Sequence, residues 1–381
     1  MVSVKVKKEH LLSKRLENDY ILCDYCFYRQ LKQTKKIIIR SKREKNSIEC
    51  YICCGLMGDL DRIIEKIDTG VVTKYEFDSF LLGATLPTKM YEREDQIRAR
   101  FKVRGRESIK KQLVKELGAK FMRSTKKRLE HLIPDIRINV VIDSKNDICV
   151  NAKTSPLILT GRYVKRQRGL PQKKVKCHKC FGTGCAACSY SGEYIDHSVE
   201  GLIAMRLLLM THGENPKFLW VGSEDRESLV LGNGRPFFLH ISNPRIRSLK
   251  TNLKFRANGI CATISGKLNS LPEVPVQFVT KTKIVIHSWT EVSKFDLRKL
   301  KVLKNSTVKF EIKSRLVTKK IYTLRTRQIS EKEFIVIVYA DGGFAIKQFV
   351  GGQRYTEPNI SEIIGTKCEC VLFDILDVSI Q

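Results

Sequence analysis

Eight of the thirteen cysteines in this chain form Cys-x2-Cys pairs. Two thiols at this spacing can bind one tetrahedral metal ion, and two such pairs complete a closed structural zinc site. The spacing indicates metal binding in a reducing compartment rather than the disulfide framework of a secreted protein. The predicted zinc ligands are Cys23, Cys26, Cys50, Cys53, Cys177, Cys180, Cys185 and Cys188.

The first two pairs are separated by a basic spacer at residues 35–45. Cys54 lies next to Cys53 but breaks the Cys-x2-Cys spacing, so Cys53 is the predicted ligand. Zinc would then stabilise an N-terminal segment, residues 1–70, that is too short to bury a core of its own. Within it, the apolar periodicity predicts a short amphipathic helix at residues 58–68.

The other two pairs lie close together at residues 177–188, with four residues between Cys180 and Cys185. Gly182 and Gly184 ease the turn, so the four thiols can close around one ion, although so short a loop is tight. Each pair can instead form a separate knuckle, and a redox pair is a further alternative.

The charge balance points to a polyanionic partner. The chain has 70 Lys and Arg against 40 Asp and Glu, a net charge of +30 that folding does not need. A membrane is disfavoured because the sequence contains no apolar run of about 18 residues, and its first residues are too charged for a signal peptide. We therefore predict a cytoplasmic protein that binds nucleic acid, with no membrane association and no obligate protein partner.

A basic loop is predicted at residues 161–172, with the sequence GRYVKRQRGLPQ. Two glycines bracket its basic residues and one aromatic residue, a composition that can follow a phosphate backbone. The alternative is a solvated run of charge. The residues predicted to bind RNA are Arg162, Lys165, Arg166 and Arg168.

Together with Arg-Gly-Arg-Glu at residues 104–107, this loop resembles part of a THUMP domain, the RNA-binding module of several tRNA-modifying enzymes. Residues 71–172 alternate strand and helix patterns and are assigned to that domain. The resemblance implies docking on the acceptor end and body of tRNA. Residues 173–381 form the third predicted region.

An acidic turn is predicted at residues 222–225, between an apolar strand and a second turn at 232–234. Asp225 is thereby placed at a loop tip between two strands. Taken alone, this pattern also fits a hairpin with a solvated turn. Its setting decides against that alternative, because strongly basic and cysteine-rich segments precede it.

The ordered set of motifs resembles the archaeal tRNA pseudouridine synthases that modify positions 54 and 55 of the T-loop. The resemblance implies an α+β fold, in which a zinc-stapled N-terminal segment and a THUMP-like domain precede a catalytic domain with a mixed or antiparallel sheet. The motifs are the cysteine pairs, GRYVKRQRGLPQ, CHKCFGTGCAAC, SVEGLI, LGNGRPF and GQRYTEPNISEIIG.

The resemblance implies one essential aspartate, Asp225, which attacks a flipped-out uridine so that the base is detached, rotated and reattached through carbon. It implies no metal or organic cofactor in the chemistry. Lys347 matches the family's basic partner, and Arg235 in LGNGRPF is predicted to bind substrate.

Several family positions differ in this chain. Leu229 stands where the family usually has Arg, and Glu227 where it has Asp. The segment 281–284 and Ala345 lack the family's tyrosines, and Tyr322 is the predicted substitute for the ring that stacks on the base. These departures leave a second hypothesis open, a tRNA-binding or RNA-folding protein with a degenerate active site. A zinc nuclease or deaminase is disfavoured because the cysteine clusters are saturated and no His-x-Glu pair accompanies them.

Overall fold

A computed structural model describes residues 2–31, 50–194, 197–250, 252–312 and 314–381. The predicted basic spacer at 35–45 lies outside the described residues. The chain forms two compact units, Met1–Pro156 with Asn243–Ser248, and Leu157–Ser242 with Leu249–Gln381. Among the described residues, no helix is both long and apolar enough to span a membrane.

The first unit combines five helices with a four-stranded sheet among its described residues. The sheet order is β2-β1-β3-β4, with β1 parallel to β2 and β3, and β4 antiparallel to β3. In chain order the elements are α1 (Val2–Asp19), α2 (Asp24–Gln30), α3 (Leu60–Ile67), β1 (Ser79–Thr85), α4 (Thr88–Phe101), α5 (Ile109–Thr125), β2 (Arg128–Leu129), β3 (Ile136–Ile142) and β4 (Ile148–Thr154).

The predicted amphipathic helix is α3, and its apolar residues at positions 60, 63, 64 and 67 are all buried. They pack in one cluster that runs from Leu16 to Ile142 and includes the first four paired cysteines. The N-terminal segment therefore shares a core with the sheet that follows it. This agrees with the expectation that residues 1–70 bury too little apolar surface to fold alone.

The second unit is built on one large mixed sheet, in the order β10-β11-β5-β9-β17-β12-β15-β14-β13-β16, with β8 paired to β9. The strands of the large sheet are β5 (Leu157–Lys165), β8 (Glu214–Trp220), β9 (Val230–Ser242), β10 (Leu253–Ala257), β11 (Ile260–Leu268), β12 (Phe278–Ser288), β13 (Thr307–Ile312), β14 (Arg315–Gln328), β15 (Glu333–Asp341), β16 (Thr356–Glu357) and β17 (Cys368–Ile380). A separate antiparallel pair is formed by β6 (Val175–Lys176) and β7 (Glu193–Tyr194). The helices of this unit are α6 (Val199–Thr211), α7 (Lys294–Lys299), α8 (Ile346–Gly351) and α9 (Ile360–Ile364).

Alternating burial shows how this sheet is packed. Along β15, every second residue from Phe334 to Ala340 is buried, so one face of the strand joins the core. Side chains of α6 to α9 contribute to the same core. The predicted α+β class is confirmed, and both β3–β4 and β14–β15 are antiparallel pairs.

The structure differs from the prediction at residues 161–172. The first five of these residues belong to β5, which pairs with β11 and β9 in the second unit, so the chain divides at 156/157 rather than after 172. The alternation of buried residues along β5 includes Lys165, whose charge made the segment resemble a loop. The turn predicted at 232–234 is likewise part of β9.

Candidate active site

Asp225 lies on the loop between β8 and β9, and its side chain is 45% exposed. The loop begins at Gly222, whose φ of 79° lies in the left-handed region. A Cβ at this position would come within 2.6 Å of Nη1 of Arg235 and 2.8 Å of the Phe278 ring. Only glycine therefore permits this close approach, and the chain reverses there to present Asp225 to solvent.

Lys347 pairs with Asp225. Its Nζ lies 2.6 Å from Oδ2 of the aspartate, and it projects from the first turn of α8. The hydrogen bond to Asp225 raises the pKa of Lys347 above its ordinary value, so the ammonium stays charged at neutral pH. The structure thus brings together the two residues predicted to carry the chemistry.

A buried cluster of charged groups lies beneath this pair. The side chain of Glu224 is fully buried, with Oε1 at 3.3 Å from Nζ of Lys165 and Oε2 at 3.1 Å from Nε of Arg235. The hydroxyl of Tyr163 donates to the same Oε2 at 2.8 Å. Two cations and a hydroxyl therefore compensate one buried carboxylate, as a buried charge requires.

The same two cations hold the backbone of the Asp225 loop. Lys165 Nζ donates to the carbonyls of Asp225 and Arg226, each at 3.3 Å, and Arg235 donates to the carbonyls of residues 221 and 223. Burial lowers the pKa of Lys165, and the charge of Glu224 opposes that shift. The cluster therefore positions the loop without contacting solvent.

Arg235 and Lys165 consequently have other roles than the predicted ones. Arg235, predicted to bind substrate, is 1% exposed, and Lys165, predicted to bind RNA, is fully buried. Neither side chain is placed to touch an RNA molecule. Both were misassigned because a basic residue in a glycine-rich motif resembles a phosphate ligand, whereas here it neutralises Glu224.

The other three predicted RNA-binding residues differ in exposure. Arg166 is exposed. Arg162 is half-buried and donates to backbone carbonyls of residues 233, 234 and 378, and burial lowers its pKa. Arg168 binds the carboxylate of Asp374. Arg162 and Arg168 are therefore held by partners within the protein, although the side chain of Arg168 remains 36% exposed.

Tyr322 is tied to the sheet. Its hydroxyl donates to Oδ1 of Asp341 at 2.8 Å, and its ring lies 5.5 Å from that of Tyr339. Ile284, in the segment that lacks the family tyrosine, is buried in the core. Ala345 caps the N-terminus of α8. None of these contacts brings Tyr322 to Asp225.

Cys370 and Glu224 lie at the site but were not predicted as site residues from the sequence. Burial raises the pKa of Cys370 to about 11, with the charge of Lys347 acting to lower it and the charge of Asp225 acting to raise it. Nothing in the sequence around Cys370 signals this position, because strand pairing across 145 residues creates it. The pairing of Glu224 could have been predicted from the sequence, because an acidic residue next to Asp225 in a chain with a net charge of +30 is expected to have basic partners.

Both cysteine clusters have the geometry of a tetrahedral metal site. Within each cluster the four sulfur atoms lie within 4.8 Å of one another, and four S···S pairs measure 3.6 to 3.8 Å. Zn–S bonds of 2.3 Å require S···S separations of about 3.8 Å. Cys54 lies outside the first cluster, as predicted, and accepts a hydrogen bond from Arg93.

The thiols of each cluster perturb one another. Hydrogen bonds from Cys23, Cys26 and Cys53 lower the pKa of Cys50, whereas a hydrogen bond to Cys23 raises the pKa of Cys53. A divalent cation at the centre would remove this conflict by binding all four sulfurs as thiolates. The four thiols at residues 177–188 form one group, so the arrangement favours a single ion over two separate knuckles.

Asp225 on a loop of the mixed sheet and Lys347 on α8 meet as the resemblance to the pseudouridine synthase class leads one to expect. Residues 158–379 match the family described as "Pus10, C-terminal", and residues 61–143 match "Pus10 THUMP domain, archaeal". The first match covers more than half of the chain, which therefore belongs to the Pus10 family. The predicted family, the presence of a THUMP domain and the isomerase class are confirmed, but the THUMP match ends at residue 143, so residues 144–172 of the predicted region lie outside it.

Curated relatives span nearly the whole chain. The "tRNA pseudouridine synthase Pus10" of Nitrosopumilus maritimus is 33% identical over 379 residues, covering 97% of this chain and 98% of the relative. That of Cenarchaeum symbiosum is 31% identical, covering 96% and 92%. That of Methanosphaera stadtmanae is 28% identical, covering 96% and 98%.

Proposed function

We propose that this chain converts uridine to pseudouridine in the T-loop of tRNA, at position 54, 55 or both, with Asp225 as the nucleophile. The observation that carries the proposal is the pairing of Asp225 with Lys347 at 2.6 Å. An ionised carboxylate is the form that attacks, and an adjacent ammonium favours that form.

The reaction is an isomerisation. The bond between the sugar and N1 of the base breaks, the base rotates, and a bond forms between the sugar and C5. A proton leaves C5, and N1 gains one, so no co-substrate is consumed. The uridine must leave its stack to reach Asp225, and the partial exposure of that side chain is consistent with such access.

The chain supports this chemistry by fixing the loop in advance. Lys165 and Arg235 bond to the backbone carbonyls of residues 221, 223, 225 and 226, so the carboxylate needs no reorganisation when RNA binds. Arg166 is our candidate for a phosphate contact. Tyr322 remains our candidate for the ring that meets the target base, acting from its position beside Asp341.

Both cysteine clusters hold structural zinc in this proposal. Four thiolates fill the tetrahedral coordination of zinc and leave no open position for a substrate. The zinc ions thus stabilise two segments rather than take part in the reaction. Cysteines that bind zinc as thiolates suit a reduced compartment, and we place the protein in the cytoplasm with its tRNA substrate.

A direct assay tests the proposal. Purified protein is incubated with an unmodified tRNA transcript, and pseudouridine is mapped chemically beside Asp225→Asn, which keeps the shape of the side chain. We expect modification at position 54 or 55 with the wild type and none with the variant. Modification that survives the substitution would exclude Asp225 as the nucleophile.

The alternative, a tRNA-binding protein with a degenerate site, is less well supported. Its motivation was the missing tyrosines, whereas the Asp225–Lys347 pair and the cluster that positions it are intact. A wild-type protein that binds tRNA tightly but forms no pseudouridine at any temperature tested would favour this alternative.

A further inference from the structure

Two aromatic side chains project into solvent from the second cysteine cluster. Phe181 is 81% exposed and Tyr190 is 79% exposed, more than Phe295 at 69% or Trp289 at 57%. Folding normally buries rings of this size, so their exposure at one small site needs an explanation. Neither residue contributes to a described core of the protein.

The backbone presents both rings at some cost. Phe181 has a φ of 53° and Tyr190 a φ of 60°, in the left-handed region that favours glycine. Glycine would occupy these positions with less strain, and an aromatic ring there adds no core packing. Strain of this kind is retained where the side chain has a function.

The cluster also holds both residues in place. The amide of Phe181 donates to the carbonyl of Cys177 at 2.8 Å, and the amide of Tyr190 donates to that of Cys185 at 2.9 Å. Phe181 follows the predicted zinc ligand Cys180 directly, and Tyr190 lies two residues after Cys188. The rings are therefore mounted on a fixed loop, which lowers the entropy lost when they meet a partner.

The surrounding charge is suited to an anionic partner. Lys173, Lys176 and Lys179 are exposed around the cluster, whereas Glu193 is paired with Lys174 at 3.2 Å. Four thiolates on zinc carry a charge of about −2. Backbone amides at residues 184, 185 and 192 donate to these sulfurs and spread that charge, so the lysines dominate the surface.

We infer that this loop is a second RNA contact, in which Phe181 and Tyr190 stack on unpaired bases of the tRNA substrate and the three lysines bind the adjoining phosphates. Every base offers a flat face, so such stacking needs no particular sequence. The inference rests on the proposed function for the identity of the RNA. It adds a contact away from the Asp225–Lys347 pair.

The first test removes the rings without disturbing the loop. Phe181→Gly and Tyr190→Gly suit the observed φ values, so the backbone and the zinc content should be unchanged. We expect the Kd for a tRNA transcript to rise about 5- to 100-fold for each ring that stacks. Phe295→Ala removes an exposed ring elsewhere in the same unit and should leave the Kd unchanged.

Salt dependence separates the two kinds of contact. Replacing one of the three lysines by alanine should reduce the slope of log Kd against log salt by about 1, whereas the glycine variants should leave that slope unchanged. Glycine variants that bind tRNA as tightly as Phe295→Ala would overturn the inference. A raised Kd accompanied by loss of zinc would also overturn it, because the lost affinity would then follow from disruption of the cysteine cluster rather than from removal of the rings.

Stacking can be observed directly with Tyr190→Trp. Its fluorescence, after subtraction of the wild-type signal from Trp220 and Trp289, should be quenched when tRNA binds. An unquenched signal at saturating tRNA would contradict the stacking of this ring.

Parallel assays of pseudouridine formation distinguish the two proposals. At saturating tRNA the glycine variants should retain the wild-type kcat and show only a raised KM. If the wild type forms no pseudouridine but the variants still lose affinity, the proposed function fails while this contact stands. If the wild type is active and the variants bind normally, only this inference fails.

Discussion

The guanidinium of Arg168 binds the carboxylate of Asp374 through two bonds, with Nη1 at 2.7 Å from Oδ1 and Nη2 at 3.0 Å from Oδ2. Nη1 also donates to the carbonyl of Glu227, and Oδ1 of Asp374 accepts from the amide of Leu229 at 3.0 Å. This pair therefore fixes the second half of the Asp225 loop. Arg168 thus supplies a guanidinium to this loop, although Leu229 occupies the position where the family usually has Arg.

Replacing Arg168 by lysine should slow catalysis rather than weaken RNA binding. Lysine keeps the charge but cannot form both bonds with Asp374, so the loop is less well positioned. We expect kcat to fall about 5- to 30-fold, equivalent to about 1 to 2 kcal/mol, with KM for tRNA unchanged. Single-turnover measurement of pseudouridine formation would check this.

Arg166→Ala is the matched control for Arg168, because Arg166 is exposed and two residues away. It should raise KM and reduce the salt dependence of binding while leaving kcat intact. If Arg168→Lys instead behaved like Arg166→Ala, Arg168 would be a phosphate contact, as the sequence predicted.

The Arg168–Asp374 pair should weaken in acid. Burial alone would raise the pKa of Asp374, but hydrogen bonds from Arg168 and Leu229 outweigh it and hold the pKa below the ordinary 3.8. A carboxyl with a lowered pKa contributes stability that is present above about pH 4 and lost as pH falls through the folded pKa. The free energy of unfolding in urea should fall from pH 7 to pH 4 and pH 3, and this fall should be smaller for Asp374→Asn.

Lys347→Met should reduce kcat about 100-fold, because the variant removes the ammonium beside the reacting carboxylate. Lys347→Arg retains a positive charge and should recover part of the rate. The raised pKa of Lys347 predicts that the pair persists up to the ordinary value of 10.5 and is lost only as pH rises through the higher folded value. Equal rates for the Met and Arg variants would show that its charge is unimportant.

Lys165→Met should destabilise the second unit by about 3 kcal/mol, because it leaves Glu224 buried with one fewer cation. The free energy of unfolding in urea would measure the effect. Arg166→Ala, one residue along, should change it by no more than about 0.5 kcal/mol. A neutral result for Lys165→Met would mean that Arg235 and Tyr163 alone compensate the carboxylate.

Cys23→Ser and Cys185→Ser should each lower the zinc content by about one ion per chain, measured by elemental analysis. Cys54→Ser is the control and should leave the content unchanged, because Cys54 lies outside the first cluster. A wild-type content of one ion that is lost with Cys23→Ser and unchanged by Cys185→Ser would show that the second cluster binds no metal.

Much of the fold could be predicted from local pattern. The period of apolar residues predicted α3, and the Cys-x2-Cys spacing predicted both thiol clusters. These features depend on residues a few positions apart, so the sequence carries them directly. Asp225 and Lys347 were found through the resemblance, since a separation of 122 positions hides their pairing from any local pattern.

The roles of individual basic residues could not be predicted in this way. Lys165, Arg166 and Arg168 are near neighbours in one charged run, yet the structure buries the first, exposes the second and binds the third to Asp374. A strand alternates its faces at every residue, and each face meets partners far along the chain. The sequence by itself therefore indicated α3, the two cysteine clusters that could hold zinc and, through the resemblance, Asp225 as the candidate nucleophile. Only the tertiary structure decided which basic side chains are exposed and which hold the Asp225 loop, because burial and pairing with Glu224 and Asp374 depend on strands that meet only in the folded chain.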